Sequence, residues 1–126
     1  MKRDLALIRE LFFHIEKYPQ KIDKNFDYEI KIKGYTKDQI DFHLNLMKDA
    51  NFIDGIIHKS IINKTLSVYY DTLEIKWEGY EFFDSIKDKK IWKSFKSKFG
   101  NSDLPFTVIM EVCKTLITQI ITAQIK

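Results

Sequence analysis

The chain has 126 residues and a mass of 15.1 kDa, one domain's worth of sequence and enough for a core without staples. Hydrophobic residues make up 44% and charged residues 31%, which excludes collagen-like, low-complexity and disordered classes. The formal net charge of +3 is smaller than a non-specific nucleic-acid binder usually carries, and the single cysteine, Cys113, excludes an intrachain disulfide.

Residues 4–18 read as an amphipathic helix, with Leu5, Ile8, Phe12 and Ile15 on one stripe. Pro19 ends it, because the residue before a proline avoids the helical region. After a polar loop, Phe26, Tyr28, Ile30 and Ile32 alternate with Asp27, Glu29, Lys31 and Lys33. That period of two predicts a half-buried strand over 26–33, closed by Gly34. Thr36 and Gln39 form a T-x-x-Q capping box, and Ile40, Leu44 and Met47 make the inward stripe of a second helix. It should end near Ala50-Asn51, since Asn tolerates the left-handed cap. Residues 52–76 read as a β-hairpin: Phe52 to Ile57 runs out, Thr72 to Trp77 returns, and the tip lies near Asn63-Lys64. A third helix covers about 78–87, with Phe82, Phe83 and Ile86 inward. A fourth covers about 89–99, between an N-cap at Asp88 and Gly100. A fifth begins at Pro105, allowed in a first helical turn, and reaches about Ile125.

The order helix, strand, helix, β-hairpin, helix predicts an α+β, winged-helix-like domain with two additional C-terminal helices. Residues 1–126 read as a single domain, 1–88 being the core and 89–126 the helical extension. The short helix that usually precedes a recognition helix has no room between the strand and the second helix. The motif is therefore truncated or reordered.

His14, His43 and His58 lie far apart, and no H-E-x-x-H, C-x-x-C, P-loop or dinucleotide pattern occurs. His43, one position before Leu44, reads as a packing residue bonded to the backbone of the first helix or the strand. Cys113 reads as a small buried hydrophobe. No catalytic residue, metal, cofactor or small-molecule substrate is expected, and the chain does not read as an enzyme. Met1-Lys2-Arg3-Asp4 opens no signal-peptide apolar region. Glu111, Lys114, Gln119, Gln124 and four threonines interrupt the apolar stretch 104–125, which argues against a membrane span and for a cytoplasmic protein.

The charge is unevenly spread. Residues 1–84 hold 13 Lys and Arg against 15 Asp and Glu, whereas residues 85–100 hold six Lys against one Asp. Residues 101–126 hold two of each sign. The second helix, in the recognition position, turns Asp38, Phe42, Asn45 and Asp49 away from its apolar stripe, with Asp41 nearby. Three aspartates would be repelled by phosphate, so Phe42 and its face suit a protein partner instead. The basic element is the fourth helix, where Lys89, Lys90, Lys93, Lys96 and Lys98 surround an apolar side of Ile91, Trp92, Phe95 and Phe99. With His58, Lys59 and Lys64 of the hairpin, these lysines are the candidate phosphate contacts. The fifth helix repeats apolar residues at Phe106, Ile109, Cys113, Leu116, Ile120 and Ala123, widened by Met110, Ile117 and Ile121. It either packs along its own domain or forms a homodimer contact.

Three blocks carry a resemblance. They are Met1-Lys2-Arg3-Asp4-Leu5 with Leu7-Ile8-Arg9; Gly34-Tyr35, Ile40, His43-Leu44, Ala50 and Ile53; and Trp77-Glu78-Gly79-Tyr80-Glu81-Phe82 with Asp84, Ile86 and Asp88, continued by Ile91-Trp92. Over roughly residues 1–95 the chain resembles a family of uncharacterised bacterial and prophage proteins sharing a domain of unknown function. The resemblance implies a winged-helix-like fold and a phage or mobile-element context, and it transfers no activity and no site residue. Asn51 stands where that family often has Gly, and Lys76 and Tyr80 replace the usual Thr and His, the first at the expense of a helix cap. Two functions stay open: regulatory association with double-stranded DNA, or a dimeric protein–protein adaptor without direct DNA contact.

Overall fold

Asp4 starts the chain's first element. Its Oδ1 accepts the Leu7 backbone N–H at 3.1 Å, the N-cap of helix α1 (Leu5–Lys17). The structure, a computed structural model, describes residues 2–18 and 28–99, with side chains through Ser97, and Val108, Glu111, Val112, Thr115 and Gln119 of the C-terminal segment. Over these residues the architecture is α+β: α1, α2 (Lys37–Asp49), the antiparallel strands β1 (Ile53–Lys59) and β2 (Leu66–Ile75), α3 (Trp77–Lys87) and α4 (Lys89–Phe99).

The buried face of α1 is wider than its stripe. Leu7 and Leu11 join Leu5, Ile8, Phe12 and Ile15 in the core, so the helix is covered on more than one side. Phe12 is its centre, stacked on Phe83 at 5.1 Å between ring centroids and tilted against Phe52 and Phe82 at 6.0 and 6.1 Å.

The expected strand over 26–33 is not formed in its described part. Residues 28–32 keep the alternation, with Ile30 buried and Lys31 exposed, but carry no strand pairing. Tyr28 and Glu29 share the lining of a cavity of about 520 Å3 with β2 residues Leu66 to Asp71, where a ladder would close the gap. The segment instead ends in a turn: the Tyr35 N–H donates to the Ile32 carbonyl at 3.2 Å, and Gly34 takes φ +92°.

The capping box of α2 forms in both directions, and Asn51 takes φ +62° just past its end. The hairpin boundary moves from its expected place. The return strand begins at Leu66, well before Thr72, and ends at Ile75, so Trp77 opens α3. Ile53 and Asp54 pair with Ile75 and Glu74, while Ile56 to Lys59 pair with Tyr69 to Leu66. The register shift between these blocks is a bulge over Tyr70 to Leu73. Gly55 faces it with φ +147°, and a Cβ there would stand 2.8 Å from Leu73 Cδ2. Thr72 Oγ1 substitutes for ladder partners, accepting from the Ile56 N–H at 2.9 Å and donating to the Tyr69 carbonyl at 2.6 Å. The bulge lets two consecutive residues, Tyr70 and Asp71, both point inward.

Two contacts place the last helices. Gly79 passes so close to β1 that a Cβ would sit 1.9 Å from the Phe52 carbonyl oxygen. Arg9 of α1 donates from Nε to the Ile86 carbonyl at 2.8 Å and from Nη2 to the Lys87 carbonyl at 3.0 Å, at the end of α3. The same guanidinium lies 4.9 Å from the Phe13 ring centroid and 5.3 Å from that of Trp92. Asp88 caps α4 by accepting from the backbone N–H of Lys90 and Ile91. Phe95 of α4 is fully buried in the shared core, and Val112 of the C-terminal segment packs against it.

Gly79→Ala is expected to destabilise by about 3 kcal/mol or more, whereas Gly34→Ala, with nothing near its Cβ, should lose only about 1 kcal/mol through its positive φ. Urea titrations of both variants check the ranking. Arg9→Ala should lose about 2 kcal/mol from two charge-assisted hydrogen bonds and ring stacking. Arg9→Lys should recover little of it in the same titration, because a point charge cannot serve two carbonyls and two rings at once.

Candidate nucleic-acid interface

The hairpin arm from Ile56 to Tyr69 is mostly exposed. Beyond the bulge its paired part, Ile56–Lys59 against Leu66–Tyr69, runs about 13 Å at the usual rise per residue. Its inward face, Ile57 and Val68, packs against the core, while Ile56 and Tyr69 remain exposed on the other. From Gly55 to Tyr70 it contains no Asp or Glu, and it carries His58, Lys59 and Lys64. The tip is hydrogen-bonded throughout. The Lys64 N–H donates to the Ser60 carbonyl and the Ser60 N–H to the Thr65 carbonyl, both at 2.9 Å. Asn63 Oδ1 accepts from the Thr65 N–H at 3.1 Å. Lys64 holds φ +59°, a conformation that favours Gly or Asn and costs a lysine about 1 kcal/mol. Ile61 and Ile62 crown the turn, each 97% exposed.

On α2, the acidic face is smaller than the sequence suggests. Asp38 and Asp49 are exposed, but Asp41 is buried. Its Oδ2 accepts from Lys37 Nζ at 2.8 Å and its Oδ1 from the Tyr70 hydroxyl, while Lys37 Nζ also donates to the Tyr70 hydroxyl oxygen at 2.9 Å. The expectation of three outward aspartates is thus corrected: the bulge supplies Tyr70 as a partner that helical periodicity cannot reveal. Burial and the Asp41 carboxylate push the Tyr70 hydroxyl up to about 12, against the opposing pull of Lys37. Burial pulls Lys37 down, but its bonds to Asp41 and Tyr70 outweigh that and hold the ammonium above its usual range. Asp71 Oδ2, next in the bulge, is buried with no hydrogen-bond partner among the described residues. Phe42 is half-buried, edge-on to His43 at 5.4 Å, rather than freely displayed.

His43 has the expected packing role. Its Nε2 accepts the Asp4 backbone N–H at 2.9 Å, so Nδ1 carries the hydrogen that points to the Gln39 carbonyl at 2.7 Å. Tyr35 donates to Asp4 Oδ2 at 2.8 Å, and burial with that bond raises its hydroxyl to about 12. Beside this group lies a cavity of about 510 Å3 whose walls include Lys2, Arg3, Trp92 and Lys96.

Lys89, Lys90, Lys93 and Lys96 are all exposed on α4. The principal packing partner of α4 is α3, and no extensive contact joins it to the hairpin. The structure therefore does not unite Lys59 and Lys64 with the α4 lysines; it brings Lys96 to Lys2 and Arg3 instead. Those two N-terminal cations were missed because they precede the first helix stripe. Phe106, Ile109, Leu116, Ile117, Ile120 and Ile121, with Cys113, lie outside the described residues. Among the described residues no cluster of His, Cys, Asp and Glu could hold a metal ion, and no helix is long and apolar enough to cross a membrane.

Residues 2–103 match the family described as "Hypothetical protein (DUF2513)", a span that includes all the resemblance blocks after Met1. An "Uncharacterized protein" of Haemophilus influenzae is 27% identical over 123 residues, covering 96% of this chain and 99% of that one. No solved structure matches the chain.

Tyr70 has a folded-state pKa above its unfolded value of 10.0, so its contribution is fully present below pH 10 and fades as pH rises to about 12. Tyr70→Phe should destabilise by about 1–3 kcal/mol near neutrality, since Asp41 loses a donor. The gap between wild type and variant should narrow between pH 10 and 12, as read from urea unfolding at stepped pH.

Proposed function

The chain belongs to the DUF2513 family, and we propose that this member is a winged-helix-like protein that associates with duplex DNA through its hairpin arm. One observation carries the reading: the arm from Gly55 to Tyr70 has no acidic residue and presents His58, Lys59 and Lys64, with Lys64 kept at a positive-φ position. A positive arm on an otherwise acidic first two-thirds of the chain concentrates attraction where the chain projects. Burial of Asp41 against Lys37 and Tyr70 supports the same reading by removing one negative charge from the outward face of α2. Lys89, Lys90, Lys93 and Lys96 form a second phosphate-facing group, continued by Lys2 and Arg3. A regulatory role in a mobile element is the biological setting this reading fits.

A protein-interaction module is the second reading, favoured by Trp77, which is 77% exposed at the start of α3 with Tyr80 also exposed. Homodimer formation through the C-terminal helix belongs to this reading.

Fluorescence anisotropy on a labelled duplex, titrated with salt, tests the DNA reading. Binding should weaken steeply with salt, and the slope of log affinity against log salt should shrink by about one per phosphate-contacting lysine removed. Lys59→Ala with Lys64→Ala is expected to flatten it by about two, and the four-fold α4 variant by more. No binding at low salt removes the proposal.

A further inference from the structure

The hairpin tip holds an apolar feature that phosphate attraction does not use. Ile61 and Ile62 are adjacent, each 97% exposed, and make no contribution to the core. A short polar turn would close the hairpin equally well, so two isoleucines at the crown are a hydration cost without a folding return. The turn beneath them is stiffened by the Ser60–Lys64, Ser60–Thr65 and Asn63–Thr65 hydrogen bonds. The side chains are therefore presented on a fixed platform.

Resting on the DNA reading above, we infer that Ile61 and Ile62 form an apolar wedge that enters the minor groove and partly unstacks a base step, bending the duplex. The chemistry around the pair fits such a groove. Lys59 ends β1 just below the crown and Lys64 lies in the turn beside it, both exposed, so a groove that took the isoleucines would meet a cation on each side of the pair. Asn63 is exposed and uses its Oδ1 on Thr65, which leaves its amide N–H groups available as donors. The minor-groove floor offers acceptors at every A·T pair and would take them. Aliphatic side chains inserted between base steps act as wedges in minor-groove proteins, and the energy of unstacking is recovered from the wider contact that bending permits. A bilayer fits the tip less well, because two adjacent isoleucines and one lysine at the crown make a small anchor for an acyl boundary. The duplex supplies acceptors on the groove floor between two rows of phosphates, spaced for a narrow crown.

The full chain is tested with a duplex of about 25 base pairs with an A·T-rich centre, carrying 2-aminopurine at that centre and a donor–acceptor dye pair at its ends. Wild type should raise the 2-aminopurine emission and increase end-to-end energy transfer. Ile61→Ser with Ile62→Ser alters only exposed side chains, so folding is checked by circular dichroism. This variant should bind about tenfold more weakly with an unchanged salt slope and lose both optical signals at saturation. Lys59→Ala with Lys64→Ala should flatten the salt slope and still bend the duplex at saturating protein. A wild type that binds with no change in either signal, or a serine variant that keeps both, overturns the wedge and leaves phosphate association standing. Absence of wild-type binding to the duplex at low salt overturns both. Isoleucine-dependent binding to phosphatidylcholine–phosphatidylglycerol vesicles without duplex binding assigns the tip to a membrane surface and overturns the wedge.

Discussion

Arg9 is the constraint on which the arrangement of the helices depends. A helix ends with carbonyls that no further turn satisfies, and only Asp88 separates α3 from α4. The Ile86 and Lys87 carbonyls at that corner are taken by one guanidinium from α1. Its faces meet Phe13 of its own helix and Trp92 of α4. A single planar cation thus closes the α3 terminus, fixes the corner and sets the approach of α4. Phe95 can then enter the core. Lys87 and Glu16, paired at 3.0 Å on the surface, reinforce the corner only weakly. At the other end of α1, His43 and Tyr35 hold Asp4 in the same spirit, through the backbone N–H and the carboxylate. Residues distant in sequence thus hold α1 at its N-cap, in its second turn and, weakly, near its C-terminus, while α2, β2 and α3 pack around it and widen its buried face.

The second organising element is the bulge in β2. It turns Tyr70 and Asp71 inward together, which regular pleating forbids. Tyr70 then reaches Asp41 on α2, and Lys37 completes the group. This polar contact links the N-terminal half of α2 to the base of the arm. Lys48, donating to the Gly55 carbonyl at 2.7 Å, links the far end of the same helix to the opposite side of the bulge. Both ends of α2 are therefore referenced to one irregular stretch of sheet.

Much of this was legible from the residues. Local signals held: the Thr36–Gln39 box, the Asn51 cap and the Asp88 cap are chemistry within a few positions of the chain. The inward residues of α2 and α3 followed from their spacing. What failed were statements needing a distant partner. Alternation over residues 28–33 correctly reports which side chains are covered, but a strand also needs a neighbour within bonding distance, and periodicity is silent on that. Asp41 was misplaced because an aspartate on a helix reads as solvated. Its signal was present in Lys37, four positions earlier. The tip isoleucines were visible in the sequence but merged into a general β-forming stretch, since exposure is not a property of residue type. The exposure of the α4 lysines follows from their spacing, whereas their separation from the arm follows from helix packing.

The bulge has one more consequence. It divides the ladder into a basal block, Ile53–Asp54 with Glu74–Ile75, and a distal block, Ile56–Lys59 with Leu66–Tyr69. The two blocks keep separate registers, so the length of the arm is not tied to the packing of the core. Adding or deleting one residue on each leg of the distal block, next to the turn, changes its reach by one rung, about 3.3 Å, while Tyr70 and Leu73 stay where they are. Changing one leg alone would exchange its inward and outward faces and expose Ile57 or Val68. Variation in arm length among related chains should therefore come in matched pairs of residues, a parity set by the alternation of the pleat and confined by the bulge to the distal block.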